Sequence, residues 1–257
     1  MPEFSLLFIA GLFSGIVNAL AGGGTFISFP VLLAVGVPPV SANATNTLAV
    51  FPGYVSGVIA LRKQLLSQRD QLLKYIVISL LGGLLGAWLL MQTDDQQFSS
   101  IIPWLLLLAT LLFMFGERIN NGCKKLTSAH PFFGSAAQGA LALTLLLVCV
   151  YGGFFNAGLG VILLSYLVLA GYSDLNTMNA IKLLVSSSLS LVAVVVFIVA
   201  ESIAWREGLI VMLGAILGGY LAGHYSQRVP GNIVRAVVMV ISVALTLYFF
   251  YDTYFRP

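Results

Sequence analysis

The sequence predicts an all-α polytopic membrane protein built from two inverted-topology repeats of five segments each. Three observations predict it. First, 59% of the 257 residues are apolar and only 8% are charged, against roughly a quarter charged in a soluble domain. Water cannot solvate a surface so poor in charge. That disfavours a soluble enzyme, a secreted disulfide scaffold, a disordered regulator and a nucleic-acid binder. Second, the apolar residues fall into segments at 4–21, 25–37, 44–61, 72–91, 99–116, 133–151, 160–171, 180–200, 207–223 and 232–251. Third, features of the first half return in the second at a fixed spacing.

Segment 4–21 ends in Ala19-Leu20-Ala21, which mimics a signal-peptide cleavage site. Met1-Pro2-Glu3 brings no Lys or Arg ahead of the apolar run, however, and the segment has a counterpart in mid-chain, so it reads as architecture. Gly22-Gly23-Gly24 then interrupts the chain, and 25–37 follows. A helix of that length reaches about 20 Å, against a hydrocarbon core of about 30 Å. Segments 44–61, 72–91 and 99–116 are long enough to span, as is 4–21. The second half has the same order: a long segment at 133–151, a break at Gly158-Leu159-Gly160, a short segment at 160–171, and long ones at 180–200, 207–223 and 232–251. Eight segments are thus expected to span. The second segment of each half is short, either re-entrant or a broken helix. Such interrupted segments in matching positions of two halves point to a transporter binding site.

The halves match residue by residue. Asn43-Ala44 pairs with Asn179-Ala180, Gly82-Gly83 with Gly218-Gly219, and Ala109-Thr110-Leu111 with Leu245-Thr246-Leu247, all 136 residues apart. Asn18-Ala19 pairs with Asn156-Ala157 at 138, the difference being absorbed in the longer first glycine break. This sets a first transmembrane repeat at 1–117, a cytoplasmic linker at 118–131 and a second transmembrane repeat at 132–257. Five segments is an odd number, so the halves enter the membrane from opposite sides. Charge gives the same topology. Arg62, Lys63, Arg69, Lys74, Arg118, Lys124, Lys125, Arg228 and Arg235 fall on one side, which the positive-inside rule makes cytoplasmic. Glu3, Asp94, Asp95, Glu201, Glu207 and Asp252 fall on the other, with Arg206 and Arg256. Both termini are expected on the outer side.

Glycine pairs at four-residue spacing, Gly11/Gly15, Gly82/Gly86, Gly214/Gly218 and Gly219/Gly223, read as places where helices approach closely in lipid. Trp88, Trp104, Trp205, Tyr251 and Tyr254 read as interfacial anchors. Cys123 and Cys149 lie in different environments with no metal-ligand spacing, and His130 and His224 are far apart. No metal site, disulfide or cofactor is expected.

Polar groups inside a membrane are costly and therefore candidates for function. They cluster at Asn18 before Gly22, Gly23, Gly24 and Thr25; at Asn43, Thr45 and Asn46; at Asn156 before the second break; and at Asn179 with Lys182. Each Asn-Ala pair is expected to open a long helix, where Asn would cap the N-terminus. Two helix N-termini meeting from opposite sides would offer free N–H groups and positive dipole ends to an anion. Lys182 aligns with Asn46 and is expected about three residues into its helix. It would either complement the anion or snorkel to the interface and pair with Asp174. There is no phosphate loop, nucleophile elbow or zinc-protease helix, so no enzyme is read. All nine acids lie in loops or at segment ends, which leaves water, His224 and the substrate's own protonation as routes for a co-transported proton.

The glycine-rich break, Ala42-Asn43-Ala44-Thr45-Asn46-Thr47 with Phe51-Pro52-Gly53 and Ser56-Gly57, and Asn179-Ala180-Ile181-Lys182-Leu183-Leu184 resemble the TauE/SafE sulfite exporter family of membrane permeases. The resemblance covers essentially the whole chain. It implies a secondary transporter of small sulfur-containing anions (sulfite, thiosulfate or organosulfonates) in the bacterial inner membrane, with the lipid bilayer as its other partner and no nucleic acid. Alternating access would come from rocking one repeat against the other. Two other readings fit the composition: an intramembrane scaffold or assembly subunit without transport, and a permease for another small anionic metabolite. A scaffold needs neither inverted symmetry nor interior polar residues.

Overall fold

The computed structural model describes residues 2–20, 23–129, 135–225 and 231–255. Among these, every regular element is an α-helix: α1 (Pro2–Leu20), α2 (Thr25–Ala34), α3 (Pro39–Ala60), α4 (Arg62–Leu66), α5 (Arg69–Met91), α6 (Asp95–Ala129), α7 (Ser135–Phe154), α8 (Leu159–Leu169), α9 (Leu175–Val199), α10 (Trp205–Tyr225) and α11 (Gly231–Tyr254). The ten expected segments are all present. The short α4 is additional, and α6 runs on through residues expected as linker. Among the described residues, five helices are long and apolar enough to cross a membrane: α5, α6 up to Gly116, α9, α10 up to Ala222, and α11 from Ala236. In α1 and α7 the fully described stretches are Glu3–Ala19 and Gln138–Phe154, both apolar. In α3 the polar run from Asn43 to Thr47 dilutes an otherwise sufficient length.

The helix ends show how the sequence sets boundaries. Helices α2 and α8 close on glycines with positive φ, Gly36 (88°) and Gly171 (92°). After each, an N–H reaches back to close the last turn: Val37 to the Leu32 carbonyl at 3.1 Å and Tyr172 to that of Leu167 at 3.0 Å. This is the Schellman arrangement, which glycine enters without a Cβ penalty. Helix α6 opens on a capping box: the Gln97 amide donates to the Asp94 carboxylate at 2.7 Å, and the Asp94 amide donates to the Gln97 side chain at 3.4 Å. Helix α3 begins Pro38-Pro39, which has no side chain to cap it. The next residue's amide, Val40, donates instead to Asp95 of α6 at 2.9 Å.

Helix α9 is capped by Asp174, whose carboxylate accepts from the Thr177 hydroxyl at 2.7 Å and the Thr177 amide at 2.8 Å. These bonds hold the Asp174 carboxyl below the usual carboxylate range, the hydroxyl bond contributing most. Its folded pKa lies below its unfolded one. The stabilisation is therefore complete above the unfolded pKa and is lost as pH falls through the folded one. We expect Asp174→Ala to lower the melting temperature of the detergent-solubilised protein by a few degrees at neutral pH, and the difference from wild type to vanish in strong acid. An equal deficit at every pH would refute the capping role.

Two helix seams are made of glycine. A Cβ on Gly11 or Gly15 would run into the backbone of Val211 or Ala215, and one on Gly214 or Gly218 into that of Phe8 or Leu12. Helices α1 and α10 therefore lie parallel with their backbones in contact. Gly82 meets Leu146 and Cys149, and Gly86 meets Val150 and Phe154, so α5 and α7 are parallel in the same way. The expected packing role of these three pairs is observed. Gly219 makes only an ordinary contact, with Gly15. The α5 end, at Met91, accepts from the Ser202 hydroxyl just before α10 at 3.1 Å. Helix α5 thus arrives at the face from which α10 departs.

The core gathers around the second break. Phe155 is fully buried, edge-on to Phe29 of α2 at 5.6 Å and to Phe98 of α6 at 6.3 Å between ring centroids. The outside of the bundle is apolar, with Leu73, Leu143, Leu147, Val199, Leu213 and Val240 all largely exposed, as a lipid-facing surface requires. The expected aromatic anchors are exposed too. Trp104 donates to the Tyr254 hydroxyl at 3.0 Å, which donates to the Ser100 carbonyl at 2.8 Å.

Candidate substrate site

Both breaks fold the chain back on itself. Ser14 and Ser28, equally far from residue 21, bond to each other at 3.1 Å, so α2 doubles back along α1. Gly24 permits this: a Cβ there would strike the Ser14 backbone and approach Asn18. In the second half the Tyr151 hydroxyl donates to the Ala157 carbonyl at 2.7 Å. Gly158, at φ 74°, then turns the chain into α8.

The first break is closed by its own hydrogen bonds. The Ser28 hydroxyl donates to Asn46 Oδ1 at 2.5 Å, and Asn46 Nδ2 donates to Thr25 Oγ1 at 3.4 Å. The Ser28 hydroxyl also lies 3.2 Å from the Gly24 carbonyl, to which it donates within the same break. Asn46 is fully buried with both ends of its amide engaged. Thr45 accepts the Ala204 amide at 2.9 Å and so ties α3 to the start of α10. Gly23 and Gly24 are buried and their carbonyls accept from the first turn of α2. Asn18 is half-buried with its amide nitrogen toward Gly53. Gly22 lies outside the described residues.

The second break is not closed. Asn43, 1% exposed, donates through Nδ2 to the Phe154 carbonyl at 2.8 Å, but its Oδ1 is buried without a partner. Asn156, 3% exposed, accepts from the Tyr54 hydroxyl at 3.1 Å, but its Nδ2 is buried without a partner. An unmet buried donor or acceptor costs about 1–3 kcal/mol. Here one of each is tied to the stretch Phe154 to Asn156: Asn43 through its bond to the Phe154 carbonyl, and Asn156 as part of the stretch itself. Immediately after it α8 begins, with its free N–H groups and positive dipole end. Lys182 of α9 lies along that first turn, its Cδ 3.6 Å from where a Gly160 Cβ would stand, an ordinary van der Waals contact. Its ammonium donates to Asn179 Oδ1 at 3.0 Å.

Two expectations about these residues are corrected. The Asn-Ala pairs do not open their helices. Asn43 is the fifth residue of α3 and Asn179 the fifth of α9, which is capped by Asp174. Lys182 is the eighth residue of α9, not the third, and it bonds Asn179 while Asp174 serves as the cap. Being one turn deeper frees the asparagine side chains from capping and turns them toward neighbouring helices. Sequence reasoning also passed over Tyr54, Tyr151, Ser14 and Ser28. The signal for Tyr54 was its place after Pro52-Gly53, an intramembrane phenol beside a helix irregularity. For the serines it was their placement on either side of a glycine break.

A model of the sulfite exporter TauE/SafE family matches residues 7–249 of the chain. Among curated proteins, the chain is similar to a "Probable membrane transporter protein" of Haemophilus influenzae, 30% identical over 96% of this chain and 94% of the relative. It is also similar to "Probable membrane transporter protein ORF9" of a Sinorhizobium species, 28% identical over 95% and 90%, and to "Probable membrane transporter protein YfcA" of Escherichia coli K12, 24% identical over 97% and 90%. No solved structure matches.

Proposed function

Because the chain belongs to the sulfite exporter TauE/SafE family of membrane transporters, we propose that it is a secondary transporter of a small sulfur-containing anion and that the anion sits at the second helix break. The observation that carries this reading is the pair of buried, unpartnered amide ends on Asn43 and Asn156, beside the α8 N-terminus and Lys182. A donor, an acceptor, a helix dipole and one cation converge on one short stretch of chain. Together they suit an oxyanion and require no chemistry on it. The first break, with Asn46 in the place of Lys182, spends its polar groups on itself and serves as scaffolding.

We also propose the inverted architecture that alternating access requires. Several contacts support it. Helix α1 is parallel to α10 and α5 to α7, while α5 ends where α10 starts, so α1 and α7, the first helices of the halves, run in opposite senses. Equivalent residues meet each other: the hydroxyls of Thr110 and Thr246, 136 residues apart, are 3.0 Å from one another, as a two-fold axis between α6 and α11 demands. The glycine seams join α1 of one half to α10 of the other, and α7 to α5. We therefore place the sliding boundary between these two cross-repeat pairs, not between whole repeats. The basic loops would face the cytoplasm and both termini the outer side of the inner membrane.

The test is a flux assay in proteoliposomes across sulfite, thiosulfate, a sulfonate and sulfate, with and without a pH gradient. Saturable uptake of at least one sulfur anion, with counterflow, is expected. A protein that moves none of them but still folds would point to the scaffold reading.

A further inference from the structure

The two unpartnered amide ends are of opposite kind, and that says more about the occupant than its charge. Asn43 must turn Nδ2 toward the Phe154 carbonyl, since a carbonyl can only accept, so the end it leaves free is an acceptor. Asn156 takes the Tyr54 phenol proton on Oδ1, so the end it leaves free is a donor. A fully deprotonated oxyanion offers lone pairs alone. It would satisfy Asn156 and repel Asn43 Oδ1, leaving a buried carbonyl facing negative charge. A group carrying both an O–H and an anionic oxygen satisfies both ends at once. We infer that the site recognises the singly protonated form of its oxyanion, with the ligand O–H donating to Asn43 Oδ1 and an anionic oxygen accepting from Asn156 Nδ2.

This deepens the transporter reading and rests on it. One cation suits one negative charge. Lys182 on α9 is the charged group beside the break. Tyr54 of α3 and Tyr151 of α7 are the other titratable groups that reach it, each already donating its proton to the break. A protonated substrate would also carry a proton across without an acidic relay, in keeping with acids confined to loops and the ends of the apolar segments.

The test compares two ligands on the purified full-length protein in detergent, by thermal shift titration between pH 5.5 and 8.5. Sulfite gains and loses one proton near neutrality. Methanesulfonate stays deprotonated throughout and has no O–H. Apparent sulfite affinity is expected to fall about tenfold per pH unit above its ionisation, as one bound proton requires. Methanesulfonate should bind at least tenfold more weakly at the acid end, with a flat profile. Sulfite affinity that is flat with pH overturns the inference and leaves an anion site intact. Methanesulfonate titrating in parallel with sulfite also overturns it, because the titrating group would then be the protein's, Lys182 first. If no anion shifts the melting temperature at any pH, the amide ends hold trapped water only, and the substrate-site reading falls with the inference.

Discussion

Lys182→Ala should cut flux of the transported anion at sub-saturating concentration by at least about thirtyfold, corresponding to the loss of about 2 kcal/mol or more when one member of a desolvated charge pair is truncated. The protein should still fold. Lys182 is half-buried, its ammonium bonds Asn179 alone among the described residues, and its stem lies against Gly160. The residues that seat α9, Met178, Ala180, Ile181, Val185 and Leu189, are untouched and fully buried. Lys182→Gln separates charge from length: it retains a donor near Asn179 and should remain as impaired as alanine if the charge matters. Lys182→Arg keeps the charge but replaces a compact ammonium with a planar fork beside Gly160, and partial recovery is expected. Flux and melting temperature are read on the same preparations. Unchanged flux in Lys182→Ala, with normal folding, would remove this residue from the site. Failure to fold would show that it is structural.

Much of this arrangement is legible in the sequence because its causes are local. Apolar runs bounded by glycine or by charge give helices α1 to α3 and α5 to α11, and the shortness of α2 and α8 follows from counting. The glycine pairs state where backbones meet. What the sequence does not show is set by contacts far along the chain. The start of α3 depends on Asp95, 55 residues away, and on the pair Pro38-Pro39. An asparagine in a polar run reads as a cap because caps prefer asparagine, yet Asp174 with Thr177 takes that role in α9, and the depth of Lys182 shifts with it. The asymmetry of the two breaks is equally non-local. The sequence shows Asn46 opposite Lys182 and more glycine in the first break. Only packing reveals that Ser28 and Thr25 satisfy Asn46, while Tyr54 reaches Asn156 across 102 residues and leaves the other end of that amide free.

Gly218→Val should cost about 3 kcal/mol or more, at or above the upper end for overpacked cores, and should collapse the monodisperse fraction of the protein in detergent. The reason lies in what the new side chain meets. A Cβ on Gly218 would enter the backbone of Leu12, its carbonyl oxygen first. A side chain in the way can change rotamer, but a backbone cannot. Relief therefore needs α1 to move away from α10 along the seam, and Gly11, Gly15 and Gly214 lose their contacts with it. In lipid the apolar effect does not push helices together, so this van der Waals packing is the main force that holds them. Gly86→Val tests the equivalent seam, since its Cβ would enter the Val150 carbonyl, and a similar loss is expected. Gly139→Ala is the control. It lies in α7, exposed, with nothing within 4 Å of the added carbon, and should stabilise by up to about 1 kcal/mol as glycine is removed from a helix interior. The comparison also tests where the protein moves. Backbone contact on this scale resists sliding, so a reversible cross-link between α1 and α10 should leave transport intact, whereas one between α3 and α9, which cross where Leu183 covers Gly57, should arrest it. Equal arrest by both would return the moving boundary to the repeats themselves.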